Sequence, residues 1–533
     1  MQLNWKITTD KEDLKGEALF DEISEGRAHF RLNQDLKESA LRSVTAEITV
    51  DRRLRTRIFM NGYQTWTTCP EYGVTDRERN LRGLPRAIID RYSLDRYGDS
   101  YFDEFPRPAG IFHGFSWCWF RDGEQFKLFG SLGEENGYTI FTYDVEQSLL
   151  TISKDSAGLK VGGMTDLMDI GYYEGTQDEV FDRWFEDLGI RKPDVPKLYG
   201  YSSWYNRYQN IHENEILEDL RGCKDIFSQG DLFQIDDGWE PFVGDWLECD
   251  RNKFPSGMRT MAETIHDAGF RAGLWLAPFA AEEKSSLYRE HPDWFFKVNG
   301  DFWKLGCNWS GFYSLDIDHP EVREYLTKVF DRVFNEWGFD FVKLDFLYGA
   351  APFGSDTETR AGRMIRALKF LKTLTGDKTV LSCGVPMMPV FGLFDYARIG
   401  CDVTLDLDGR PHMQLVHMER PSTLNAVQNM LSRYPLDQRA FGSDPDVFFL
   451  RSYNIQLNED QRLSLATLDA LLGSVFLTSD DPARYTDEMK EMYRKLRHLS
   501  TATNVRLKVD EKIRISYDLD GETHTAVVDP KLS

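Results

Sequence analysis

The sequence has no excess of positive charge. Its 533 residues include 64 Lys and Arg against 87 Asp and Glu, a formal net charge of −23 at pH 7. A field of that sign repels phosphodiester backbones and anionic headgroups, whose binding relies on Lys and Arg neutralising charge. No nucleic acid and no membrane partner is therefore expected. Long hydrophobic runs are missing as well, with nothing near the roughly 18 uncharged apolar residues that a spanning helix needs. The first 17 residues mix charged and polar side chains and lack the basic start and apolar stretch of a secretory signal. Cysteine is sparse: Cys69, Cys118, Cys223, Cys249, Cys307, Cys383 and Cys401 are scattered, with no CxxC and no Cys/His cluster at metal spacing. Reduced thiols in a cytoplasmic protein are the simplest reading, and the sequon Asn308-Trp309-Ser310 then has no role.

Aromatic residues, by contrast, are plentiful: 13 Trp, 23 Tyr and 36 Phe. Most belong in a core, because rings bury large areas wherever they fit, and a minority are left for ligands. At about 100–200 residues per domain the length predicts two to four domains. Up to about residue 190, short alternating runs at 46–50, 127–130, 138–143 and 148–154 are rich in Val, Ile, Thr, Phe and Tyr and are broken by turn residues. That pattern predicts an antiparallel β-sandwich. The segment Lys192-Pro193-Asp194-Val195-Pro196 marks a boundary, and beyond it strand, loop and helix alternate.

Eight apolar strand candidates follow, at 198–204, 231–239, 271–278, 340–346, 379–386, 396–404, 440–449 and 473–480. Amphipathic stretches at 214–223, 257–268, 320–337, 358–374, 422–432 and 459–472 separate most of them. Eight β/α units over about 300 residues match a TIM barrel, with an open doubly wound sheet as the alternative. A last helix at 487–499 precedes an alternating tail at 505–529. The expected organisation is multidomain α/β: an N-terminal β-sandwich over 1–192, a central (β/α)8 barrel over 193–499, and a small antiparallel β-domain over 500–533.

In such a barrel the reactive groups sit at the C-terminal ends of the strands. Here the second strand ends in Asp236-Asp237-Gly238-Trp239 and the third in Leu274-Trp275. The fourth ends in Lys343-Leu344-Asp345, the fifth in Ser382-Cys383-Gly384 and the sixth in Arg398-Ile399-Gly400-Cys401-Asp402. Period two puts Lys343 with Asp345 and, in an extended chain, Arg398 with Asp402. An unpaired carboxylate in an apolar setting costs several kcal/mol, so Lys343 and Arg398 are the local partners. Strands four and six are next but one, about 10 Å apart at a spacing near 4.8 Å. Inward-reaching carboxylates at that separation can flank one glycosidic bond, either at about 5–5.5 Å with retention or at about 6.5–9.5 Å with inversion. The adjacent Asp236 and Asp237 suit either a divalent metal or paired sugar hydroxyls, and the hydroxyls are preferred because charge-assisted bonds to them are strong. Galactose fits, since its 4- and 6-hydroxyls are neighbours and its opposite face is all C–H. Trp204, Trp239, Trp275 and Trp66 are the candidate platforms for that face, with a core role as the alternative for each.

With these residues the sequence resembles glycoside hydrolase family 36, the bacterial α-galactosidase (melibiase) group. The resemblance covers nearly the whole chain and rests on Asn61-Gly62-Tyr63-Gln64-Thr65-Trp66, Ser203-Trp204-Tyr205, Asp236-Asp237-Gly238-Trp239, Gly273-Leu274-Trp275, Lys343-Leu344-Asp345, Ser382-Cys383-Gly384, Arg398-Ile399-Gly400-Cys401-Asp402 and Ser443-Asp444-Pro445-Asp446. It implies Asp345 as nucleophile and Asp402 as acid/base. Asp236 and Asp237 then bind the 4- and 6-hydroxyls, Lys343, Arg398 and Cys383 contact the sugar, and Trp66, Trp204 and Trp275 form the aromatic platform.

The same resemblance implies a retaining enzyme with no metal or organic cofactor, acting on galacto-oligosaccharides such as melibiose and raffinose. Its partners would be the α-galactoside substrate and, at most, other copies of the chain in a homo-oligomer. Cys383-Gly384 runs into Val385-Pro386 where larger family members carry Ser-Gly-Gly, and Cys401 stands where compact members often have Pro. These departures keep α-N-acetylgalactosaminidase as an alternative, beside an α-galactosyl transglycosylase and a non-enzymatic sugar-binding barrel. Loops 281–303 and 349–356 are expected to shape the aglycone pocket.

Overall fold

The period-two runs and the β/α alternation fold into different architectures in the computed structural model, which describes residues 1–79, 81, 84–102, 108–408 and 418–532. Twelve antiparallel strands in the first 175 residues form two layers joined by one long strand, Arg27–Thr49. Its first half pairs with Lys160–Gly175, and its second half with Gln2–Thr9 and Leu149–Lys154. Alternation does what the pattern requires: in Thr139–Asp144 buried and half-buried residues alternate. The buried faces meet in a core that includes Phe30, Ile48, Phe112, Phe120, Phe129 and Phe141. The sandwich is the expected one.

Beyond it, a parallel sheet closes on itself. Leu198–Ser202, Leu232–Ile235, Arg271–Leu276, Phe341–Leu344, Thr379–Ser382 and Tyr396–Arg398 pair in chain order. The eighth strand, Val475–Thr478, pairs with the first. The expected seventh strand is split. Gly442–Asp444 pairs with the sixth strand and Val447–Phe448 with the eighth, so one short segment closes the barrel across a break at Pro445 and Asp446. Asp446 makes that break with φ of 90°, a left-handed conformation uncommon for a residue with a side chain.

Every strand is shorter than its apolar run, because the polar residues at the run's end leave the ladder and turn into the rim. Helices cover the outside with apolar stripes. In Pro320–Asp331 the buried residues Val322, Leu326, Val329 and Phe330 recur at the spacing of one helical face. The helix expected to run on to 337 instead widens into a π-turn at Arg332–Glu336. A three-stranded sheet, Thr503–Val509, Ile513–Leu519 and Glu522–Val528, ends the chain. Among the described residues no helix is long and apolar enough to cross a membrane.

One side chain fixes the sandwich to the barrel. The guanidinium of Arg433, on the helix Thr423–Arg433, is fully buried. It donates to Asn61 Oδ1 at 3.1 Å, to the carbonyls of Gln64 and Thr65 at 3.0 and 2.6 Å, and to that of Ile399 at 2.9 Å. A buried cation without such acceptors would cost several kcal/mol, so burial and these carbonyls together dictate where segment 61–66 lies. Thr65 adds a backbone bond to Val385 O at 3.0 Å, and its hydroxyl accepts from Gly384 N at 3.0 Å. Trp66 is thereby delivered to the barrel's C-terminal rim.

Candidate active site

A cavity of about 870 Å³ opens at that rim. Asp236 and Asp237 follow the second strand, Trp275 lies in the third, Lys343 and Asp345 end the fourth, and Asp402 follows the sixth. All six line the cavity, with Trp204 and Trp66. The ammonium of Lys343 is the hub, 3.1 Å from Asp236 Oδ2 and 3.9 Å from Asp345 Oδ2. Burial alone would lower its pKa, but Asp236 and Asp345 outweigh that and raise it, so Lys343 stays charged. Asp345 is held as an acceptor: Trp275 Nε1 donates to Oδ2 at 3.2 Å, and the amide of Phe346 to Oδ1 at 2.8 Å.

Asp402 lives in different surroundings. The sixth strand stops at Arg398, so the two residues do not share an extended face as period two suggested. Arg398 NH1 nevertheless reaches Asp402 Oδ1 at 2.9 Å. The Asp402 side chain is 37% exposed, and it lines the cavity. Desolvation there, reinforced by Asp345, pushes its carboxyl pKa upward against the pull of Arg398 and Lys343. A cavity with an anchored acceptor carboxylate and a second carboxyl biased towards its protonated form has the parts for nucleophilic attack with proton donation.

The acid pair is dressed from several elements. Asp236 accepts from Gln234 Nε2 at 2.6 Å, and Asp237 from Gln209 Nε2 at 2.8 Å and Trp309 Nε1 at 2.9 Å. Glu240, one residue beyond the quoted Asp-Asp-Gly-Trp segment, is fully buried. Burial, then the neighbouring charge of Asp237, drives its pKa well up, and it accepts from the amide of Gly238 at 3.3 Å.

Two of the ten site residues read from the sequence do not line the cavity. Cys383 is 1% exposed, and burial, then the charge of Asp345, push its pKa well up. Arg398 is 3% exposed and acts from behind the wall, bonded to Asp402, Asp444 and Asp446. The three expected platform rings, Trp66, Trp204 and Trp275, all line the cavity. Trp275 is 2% exposed with its N–H bonded to Asp345, while Trp239 is core, donating to Trp275 O at 3.0 Å.

Trp309, from the set-aside sequon, supplies a ring of the wall and the bond to Asp237. Nothing in its local sequence signals that role, because it lies in an insertion between strands three and four. Gln209 is likewise unmarked, whereas Glu240 stood in plain view beside the motif. The rim is built from residues 84–97, 306–309 and 419–421, not from loops 281–303 and 349–356. Part of the first loop folds away into the small sheet of Ala280–Glu282, Lys304–Gly306 and Phe312–Ser314, and the second begins in the buried turn Leu347–Ala350.

Trp66 depends on a glycine opposite it. Gly384 has φ of 57°, and a β-carbon there would stand 2.9 Å from Trp66 Cζ2 and 2.9 Å from Phe346 N. Trp66 packs edge-on to Phe346, ring centroids 5.1 Å apart.

Residues 201–371 match the Melibiase family model. The chain is 32% identical over 206 residues to an α-galactosidase of Escherichia coli, covering 37% of this chain and 28% of that protein. It is 27% identical over 151 residues to one of Lactobacillus acidophilus, covering 27% and 20%. These matches thus span well under a third of the length of either relative. Among solved structures, the α-galactosidase TtGalA of Thermus thermophilus, in complex with p-nitrophenyl α-D-galactopyranoside, aligns with TM-score 0.73 and 26% identity over 93% of this chain and 98% of that one. The α-galactosidase AgaA of Geobacillus stearothermophilus, in complex with raffinose, shares the fold at TM-score 0.61 and 13% identity, over 98% and 73%. With its barrel, its sandwich and these matches, the chain is similar to the melibiase group, glycoside hydrolase family 36.

Proposed function

We propose that the protein is a retaining α-galactosidase that removes terminal non-reducing α-D-galactosyl residues from oligosaccharides such as melibiose and raffinose. The observation that carries this reading is the opposition within one cavity of Asp345, anchored by two N–H donors beside Lys343, and Asp402, whose carboxyl is biased towards holding its proton. The relatives' names and the galactoside in the Thermus complex support the sugar.

In this mechanism Asp345 attacks the anomeric carbon while Asp402 gives its proton to the glycosidic oxygen, releasing the alcohol and leaving a β-galactosyl ester. Asp402, now a base, takes a proton from water. The water oxygen attacks the same carbon, the ester bond breaks, and α-galactose leaves with Asp345 restored. Asp236 and Asp237 accept from the 4- and 6-hydroxyls, and Trp66 and Trp204 cover the ring. The seven cysteines, none in a disulfide, support a reducing, cytoplasmic setting.

The test is a panel of 4-nitrophenyl α-galactoside, α-N-acetylgalactosaminide, α-glucoside and β-galactoside, with the first anomer released followed by NMR. The α-galactoside should be preferred and α-galactose should appear first. Preference for another sugar, or β-galactose as first product, overturns the reading.

A further inference from the structure

Above its polar floor the cavity changes character. On the sandwich side it is lined by Leu84, Ile88, Tyr92, Leu94 and Tyr97. The helix Arg86–Tyr92 buries Ile89 in a small core with Leu81 and Leu94. Ile88 and Tyr92, four residues apart, share another face of that helix. They are not core: Ile88 is 39% and Tyr92 47% exposed. Large apolar side chains left exposed beside a ligand cavity mark contact surface.

Among the described residues, the acid on the facing rim is already engaged. Glu419 accepts from Thr67 Oγ1 at 3.0 Å and Asp99 N at 3.2 Å. Arg420 pairs with Asp408 through NH1, while its Nε and NH2 are buried without a hydrogen-bond partner among the described residues. On the sandwich side a leaving group meets mainly hydrocarbon and ring faces, where an apolar surface would leave water at no polar cost. With Asp236 and Asp237 holding the galactosyl unit at the buried end, the leaving group must extend towards this mouth.

We propose that the outer cavity is a leaving-group subsite for an apolar aglycone, so that alkyl and aryl α-galactosides are the favoured substrate class. This rests on the galactosidase reading above. The test compares kcat/KM for methyl and n-octyl α-D-galactopyranoside, whose leaving alcohols are alike in reactivity, and for melibiose, with the octyl compound kept monomeric. Each methylene removed from water is worth up to about fourfold, so the octyl compound should exceed the methyl by about tenfold or more, and should exceed melibiose.

In the Ile88→Ser, Tyr92→Ser double variant the octyl-to-methyl ratio should fall by about fivefold or more. That ratio is taken within one preparation and does not depend on how much of it is folded. A ratio near one in the parent chain, melibiose as the better substrate, or a ratio that survives the double substitution overturns the subsite while leaving the galactosidase reading intact. Failure to hydrolyse methyl α-galactoside and melibiose alike overturns both.

Discussion

Arg398 holds Asp402 through one terminal nitrogen and Asp446 through the other, each at 2.9 Å, while its Nε donates to Asp444 at 2.8 Å. One guanidinium is thus shared among three carboxyls. Asp446 also accepts from Tyr205 Oη and from Val403 N, and burial, opposed by Arg398 but reinforced by Asp402, pushes its pKa up to about 7. The strained turn that splits the seventh strand is what aims Asp446 at Arg398.

Replacing Asp446 by Asn frees Arg398 to favour the ionised form of Asp402. The folded pKa of the acid then drops, and since Asp402 must be protonated before attack, the basic limb of kcat/KM moves to lower pH by about one unit. The pH–rate profile on an aryl α-galactoside reads this directly, and a limb that stays in place while the variant remains folded refutes the coupling.

Lys343→Met removes the only cation within salt-bridge reach of Asp345 among the described residues. Loss of one oriented charge at a reacting centre lowers kcat/KM by about 10²- to 10³-fold. Two buried carboxylates also lose their partner, at about 3–5 kcal/mol in urea unfolding. Near-parent turnover would remove Lys343 from the site's chemistry.

A buried histidine sets a pH window for stability. His113 lies between Glu78 and Asp99, 2.8 Å from each, and although desolvation alone would lower it, the two acids raise its pKa to about 10. Because the folded value lies above the unfolded value near 6.5, the contribution is complete below about pH 6.5 and disappears as pH rises through about 10. Unfolding free energy should fall by about 3–5 kcal/mol across that window, and the slope should be shallower in His113→Gln. A parent chain equally stable at pH 6 and pH 9.5 contradicts the assignment.

Gly384→Ala places a methyl group against Trp66 in a left-handed backbone. The strain costs about 1–2 kcal/mol of stability. The displaced ring should raise KM more than it lowers kcat, and equal KM with intact folding would show that Trp66 does not touch the sugar.

Much of this was readable in one dimension. Asp236, Asp237, Lys343, Asp345 and Asp402 stand where apolar runs end, and a barrel turns that position into a common rim. Strand ends were misjudged for the same reason: Asp402 belongs to the apolar run around Ile399 but leaves the ladder at Arg398. What could not be read is whatever depends on distance in three dimensions. Cys383 shares a motif with the site and feels the charge of Asp345, yet it is buried outside the cavity lining, and Gln209 and Trp309 reach Asp237 from segments with no pattern of their own. The mouth was assigned to barrel loops because no one-dimensional rule says that Arg433 will gather carbonyls of segment 61–66.

That clamp divides labour in a way that bears on how such enzymes diversify. Asp345 and Asp402 are encoded in one stretch of chain and the mouth's apolar wall in another, joined largely through main-chain carbonyls, with Asn61 Oδ1 and the Thr65 hydroxyl as side-chain acceptors. The wall can therefore drift, or be exchanged between relatives, with Asp345 and Asp402 untouched. Selectivity for what is cut away becomes a property inherited separately from the power to cut.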